Sequence, residues 1–157
     1  MSFHLVQANI ARMRGGFSDG VMSGLTARIE EMNALAEQSP GFVWRLKGAD
    51  ADSENLRVFA DYFVPFEVER LFYNMSVWES IEALKHYAFK TRHAEMLKDK
   101  ASWIEHFERA HLALWWIPAG HLPTIAESAE RLRSLHERGP TEFAFTFHAT
   151  FPKPTGT

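Results

Sequence analysis

The sequence predicts an α+β domain with a ferredoxin-like split βαβ arrangement, an antiparallel sheet carrying helices on one face. Three observations predict it. Apolar periodicities follow one another as strand, helix, strand, strand, helices, strand, helix, strand. The stretch Arg70 to Leu84 passes from alternation into helical spacing without a break, so a strand feeds straight into a helix. The chain of 157 residues has the length of one domain with a single core, and no apolar run approaches the roughly 18 residues of a bilayer span.

Composition narrows the function classes. Hydrophobic content of 46% and charged content of 24% are ordinary for soluble globular chains. A net charge of −3 provides no field favouring nucleic acid or an anionic membrane, so neither is expected as a partner. The absence of cysteine removes disulfides, thiol nucleophiles and thiolate metal sites. No basic-then-apolar leader opens the sequence, and cytoplasmic localisation is the default expectation. Residues 1–151 read as one domain and 152–157 as a frayed tail.

Phe3 to Ile10 alternates as a strand, with His4, Val6, Ala8 and Ile10 on one side and Leu5, Gln7 and Asn9 on the other. Arg14-Gly15-Gly16 breaks it. Val21, Leu25, Ile29, Met32 and Ala36 then make a helical stripe, which Ser39-Pro40-Gly41 stops. Phe42 to Leu46 is a short strand with Phe42, Trp44 and Leu46 on one side. Leu56 to Glu69 is an irregular aromatic insertion around Pro65, readable as a lid, an interface arm or extra core.

The next strand sets Leu71, Tyr73, Met75 and Val77 against Phe72, Asn74, Ser76 and Trp78. A helix runs from Ser80 to about Phe89 and restarts at Thr91 through Lys100. Ser102-Trp103-Ile104-Glu105 fits a capping box and a helical turn. His111 to Pro118 is a strand, and Thr124-Ile125-Ala126-Glu127 caps a helix that Gly139-Pro140 ends. Its Glu127, Glu130, Arg131, Arg133, Glu137 and Arg138 read as a solvated face. Phe143, Phe145 and Phe147 line a last strand.

With helices on one face, the other sheet face needs a cover, and a second copy of the chain is the expected one, giving a homodimer. If both central strands turn their apolar residues to the helices, Gln7, Asn9, Asn74 and Ser76 fall together on the opposite face. Buried without partners, each costs about 1–3 kcal/mol, so they must bond one another, water or a ligand. A self-satisfied polar core and a small-molecule pocket both meet that requirement. Trp44, Trp78 and Trp115 are the candidate walls. His106, His111 and His121 do not stand at zinc-ligand spacings and there is no HExxH, so no metal site is expected. Ser76 lacks a Gly-x-Ser-x-Gly elbow and reads as structural.

Asn74-Met75-Ser76-Val77-Trp78-Glu79-Ser80-Ile81-Glu82-Ala83-Leu84 resembles the strand-to-helix junction of the dimeric α/β-barrel superfamily, which includes antibiotic-biosynthesis and haem-degrading monooxygenases. Together with Gln7 to Arg12, Ser39 to Leu46 and His111 to Gly120, it resembles the bacterial domain-of-unknown-function family numbered 3291, over nearly the whole chain. The haem-degrading branch implies Asn9 on the first strand, Tyr87 on the helix and His93 as a haem ligand, although Tyr87 stands where those enzymes carry Trp. A cofactor-free oxygenase would instead need a dry pocket and groups that hold a substrate anion, here Asn9, Asn74 and Trp78. The expectation is a monooxygenase-like enzyme acting on an apolar or aromatic small molecule, with no cofactor or with haem on His93. The alternative is a non-catalytic ligand-binding homodimer.

Overall fold

The structure, a computed structural model, describes residues 2–16, 18–91 and 93–155. Strand β1 (Phe3–Met13) runs down the middle of the sheet. Helix α1 (Ser23–Gln38) leads to β2 (Phe42–Arg45), and a short α2 (Ser53–Leu56) precedes β3 (Leu71–Trp78). Helices α3 (Ile81–Lys90) and α4 (His93–Asp99) follow, then β4 (Ile104–Glu105), β5 (Leu112–Pro118) and α5 (Ile125–Arg138). β1 pairs antiparallel with β3 on one side and with β4 and β5 on the other, while β2 adds to the free edge of β3. The order β2-β3-β1-β5, with α1 and α3 as crossovers, is the split βαβ topology that the periodicities predict.

The junctions have local causes. Ser80 Oγ accepts the Ala83 amide at 3.1 Å and caps α3, as Thr124 Oγ1 accepts the Glu127 amide at 3.1 Å at the start of α5. Gly41 holds φ +83°, and a Cβ there would stand 2.5 Å from Ala83 Cβ, so the turn into β2 and the first turn of α3 touch without a side chain between them.

The two sheet faces carry different covers. Val6, Ala8 and Ile10 of β1, Leu71, Met75 and Val77 of β3, and Trp115 of β5 form one core with Ile125, Ala129, Leu132 and Leu135 of α5. Leu56, Phe59, Tyr62 and Phe63 of the aromatic insertion complete that core. The insertion is therefore extra core. The face that the sequence leaves to a second copy is covered within the chain. On the opposite face, Leu5, Trp78 and Leu114 pack with Ala36 of α1 and Leu84 of α3, and Met13 packs with Met22 and Leu25.

Three expectations on individual segments are corrected. The last strand reduces to one bridge, Leu114 with Phe145, because the turns Thr141 N to Ala144 O and Thr146 O to Ala149 N bend the chain on either side. Ile104-Glu105 is strand rather than helical turn: it pairs with Arg12 and Met13, and Glu105 takes the Arg70 guanidinium instead of a capping amide. On α5, Arg131 and Arg133 are not simply solvated. Arg131 lies 3.8 Å over the Phe143 ring, and Arg133 donates to Val58 O at 2.7 Å and Asp61 Oδ1 at 2.6 Å, tying the insertion to the helix.

Candidate functional site

The polar residues of β1 and β3 meet as the register requires: Gln7 stands opposite Ser76 and Asn9 opposite Asn74. They face α1 and α3, which corrects the expectation that they lie opposite the helices. Gln7 Nε2 donates to Ser76 Oγ at 2.8 Å and to Asn74 Oδ1. The Trp78 indole N–H donates to the same Ser76 Oγ at 2.8 Å. Ser76 Oγ thus accepts two hydrogens, and its own is left to donate. Gln7 and Ser76 are each only 7% exposed.

The network is incompletely satisfied. Among the described residues, Asn9 has no side-chain hydrogen bond, and neither Gln7 Oε1 nor Asn74 Nδ2 has a partner. These free groups border a cleft of about 910 Å³ between the sheet and the helices, inside the range of small-molecule sites. Leu25, Ile29 and Met32 of α1 and Leu84 and Ala88 of α3 give it apolar walls. Gln7 and Ser76 are buried and Asn9 and Asn74 half-buried, and a polar row under apolar walls is the usual construction of a small-molecule pocket, with the polar groups fixing orientation.

The aromatics are distributed differently from the sequence expectation. Trp78 is fully buried, edge-on to Phe42 (5.5 Å) and stacked on Tyr87 (5.1 Å), so it supports the floor of the cleft and its N–H is spent on Ser76. Trp44 does not wall the cleft. A bulge in β2 pairs Phe42 with Trp78 but Trp44 with Val77, and this sends Trp44 to the α5 side. Trp115 is likewise corrected: it is opposite Val6, fully buried on the α5 side. Trp116 turns the other way and donates its indole N–H to Phe151 O at 2.9 Å, which docks the chain just before the tail.

Tyr87 borders the cleft, but its hydroxyl is committed to Met32 O at 3.0 Å, and burial pushes its pKa up to about 12. His93, on α4, also borders the cleft, its ring 4.8 Å from that of Tyr87. Its Nδ1 lies 3.1 Å from Ala88 O. A carbonyl only accepts, so Nδ1 carries the hydrogen and Nε2 keeps its lone pair. Burial holds the ring's pKa below the ordinary value, with the Ala88 contact opposing, so the neutral base is favoured at neutral pH.

Sequence reasoning missed Arg45. The bulge places it opposite Ser76, at the β2 end of the polar row, where its side chain is 17% exposed and borders the cleft. No sequence signal reveals a bulge in a four-residue strand. Among the described residues, no group of three or more His, Asp or Glu side chains could hold a metal ion, and no helix is long and apolar enough to cross a membrane.

A family model described as "Domain of unknown function (DUF3291)" matches residues 4–157. No curated protein matches the sequence. Among solved structures, PA3566 from Pseudomonas aeruginosa is similar at 13% identity and a TM-score of 0.47, covering 78% of this chain and 98% of its own. NE2512, a protein of unknown function from Nitrosomonas europaea, is similar at 12% identity and 0.46, covering 78% and 96%. SnoaB, a cofactor-independent oxygenase from Streptomyces nogalater, is similar at 12% identity and 0.45, covering 77% and 97%.

Proposed function

We propose, from the premise that the chain belongs to the DUF3291 family, that the cleft is the small-molecule site of a monooxygenase-like enzyme acting on a largely apolar or aromatic substrate. The supporting observation is the unspent hydrogen-bonding capacity of Asn9 and Asn74 at the base of an apolar cleft. Pre-aimed amide donors in a site sheltered from water stabilise charge that develops on a substrate. His93 Nε2 is a neutral base on the helical side of the same cleft. In the cofactor-free reaction an activated CH2 of the substrate gives a proton to His93, and the Asn9 and Asn74 amides hold the resulting anion. Dioxygen is the oxidant: one atom remains as the new carbonyl, and the other leaves as water with both hydrogens. Gln7 and Ser76 hold Asn74 in position, and Trp78 holds Ser76.

The donor set would also suit haem, since His93 Nε2 has no hydrogen-bond partner among the described residues and an imidazole nitrogen is an ordinary ligand of its iron. His93 Nε2 would hold the group, which when bound supplies the iron chemistry that activates dioxygen.

Oxygen uptake with a panel of hydroxylated aromatic compounds that carry an activated CH2 tests the cofactor-free reaction. We expect Asn74→Ala to lower the rate more than about tenfold, within the range for loss of one anion-stabilising donor. Equal rates in variant and parent reject the assignment. For the haem form, a Soret band at micromolar haem that His93→Ala abolishes supports it; an unchanged spectrum removes it.

A further inference from the structure

Arg45 is a cation held at the β2 end of the cleft's polar row. Its partner across the strands is Ser76, whose own partner in β1 is Gln7, so the three lie in one line across the sheet on the same face. Its Nε donates to Glu37 Oε1 at 3.2 Å and its Nη1 to Leu46 O at 3.4 Å. Nη2 has no hydrogen-bond partner among the described residues. Glu37 does not neutralise this corner alone, because Lys47 Nζ also reaches it, 3.8 Å from Oε2: two cations share one carboxylate. Both cations border the cleft and Glu37 does not.

The other charges around the cleft do not cancel that excess. Glu105 is paired with Arg70, Lys100 adds positive charge, and Glu30 is exposed on α1. The neutral polar row and apolar walls therefore end at a partly buried guanidinium with a free donor, a group whose planar fork suits a carboxylate.

We propose that Arg45 anchors a carboxylate on the ligand of this cleft, so that the substrate class is an amphipathic organic acid: an apolar or aromatic body under α1 and α3, with its acid group at the β2 end. This rests on the reading of the cleft as a small-molecule site and assigns Arg45 as its specificity residue.

The test compares 2-naphthoate with its neutral analogue 2-naphthylmethanol by titration calorimetry on the full chain. The parent should bind the acid about tenfold more tightly than the alcohol, as a charge-assisted bond requires. Arg45→Met should bring the two within about twofold, and Arg45→Lys, which keeps charge but loses the fork, should fall between. Glu37→Gln should tighten the acid severalfold and leave the alcohol unchanged; if Arg45→Met does not fold, this variant decides. Equal affinities in the parent, a preference that survives Arg45→Met, or an acid affinity that Glu37→Gln leaves unmoved overturns the assignment. Alcohol binding that Asn74→Ala weakens upholds the cleft reading whatever Arg45 does. Failure of both probes to bind the parent overturns both proposals.

Discussion

His93 rests against Tyr87, ring centroids 4.8 Å apart, with its Nδ1–H pinned to Ala88 O. Tyr87 in turn stacks on Trp78 and bonds to Met32, so the start of α4 is coupled through two rings to the sheet and to α1. Burial lowers the His93 pKa below its ordinary 6.5. The folded state therefore resists protonation, and the unfolded chain takes up the proton first. The stabilisation is complete above about pH 6.5 and declines as the pH falls from there towards the lower folded value. Thermal melts across that window should show the parent losing more stability than His93→Phe on acidification. Parallel curves would show that His93 contributes nothing to the slope.

Gln7 supplies a hydrogen to both Asn74 and Ser76. Gln7→Leu leaves Asn74 Oδ1 without its donor, while Ser76 keeps the indole hydrogen of Trp78. We expect a loss of about 1–3 kcal/mol in urea unfolding. Replacing both partners, Gln7→Leu with Asn74→Leu, should cost less than the sum of the single changes, because no orphaned polar atom remains.

Gly41 meets Ala83 where the turn into β2 touches α3. Gly41→Ala meets two obstacles, a positive φ of 83° and a Cβ contact of 2.5 Å. The expected destabilisation is at least about 1–2 kcal/mol. Adding Ala83→Gly should relieve the contact but not the backbone strain, giving partial recovery of the melting temperature.

Phe59 is fully buried in the core that covers the α5 side of the sheet. Phe59→Ala should cost about 3–5 kcal/mol in chemical unfolding. A loss below about 1 kcal/mol, the scale of a surface substitution, would mean that the insertion is peripheral to the core.

The alternation of β1 and β3, the helical stripe of α1 and the strand-to-helix change after Trp78 carry the topology, and all are visible in the chain. Period and capping are local properties, set by backbone geometry over a few residues. The same alternation groups Gln7, Asn9, Asn74 and Ser76 on one face once the two strands are neighbours. Which cover that face receives was not legible. It depends on whether α5 and the 56–69 insertion pack on the opposite side, a competition between buried apolar areas distant in sequence. Trp44, Trp115 and Arg45 show the same limit at single residues. A bulge in β2 exchanges the sides of Trp44 and Arg45, and pairing with Val6 turns Trp115 under α5. By itself the sequence determined the central strands, the main helices and a shared polar row. The tertiary structure alone decided what faces that row and which charge stands at its end, because register and packing are fixed by contacts between segments rather than within them.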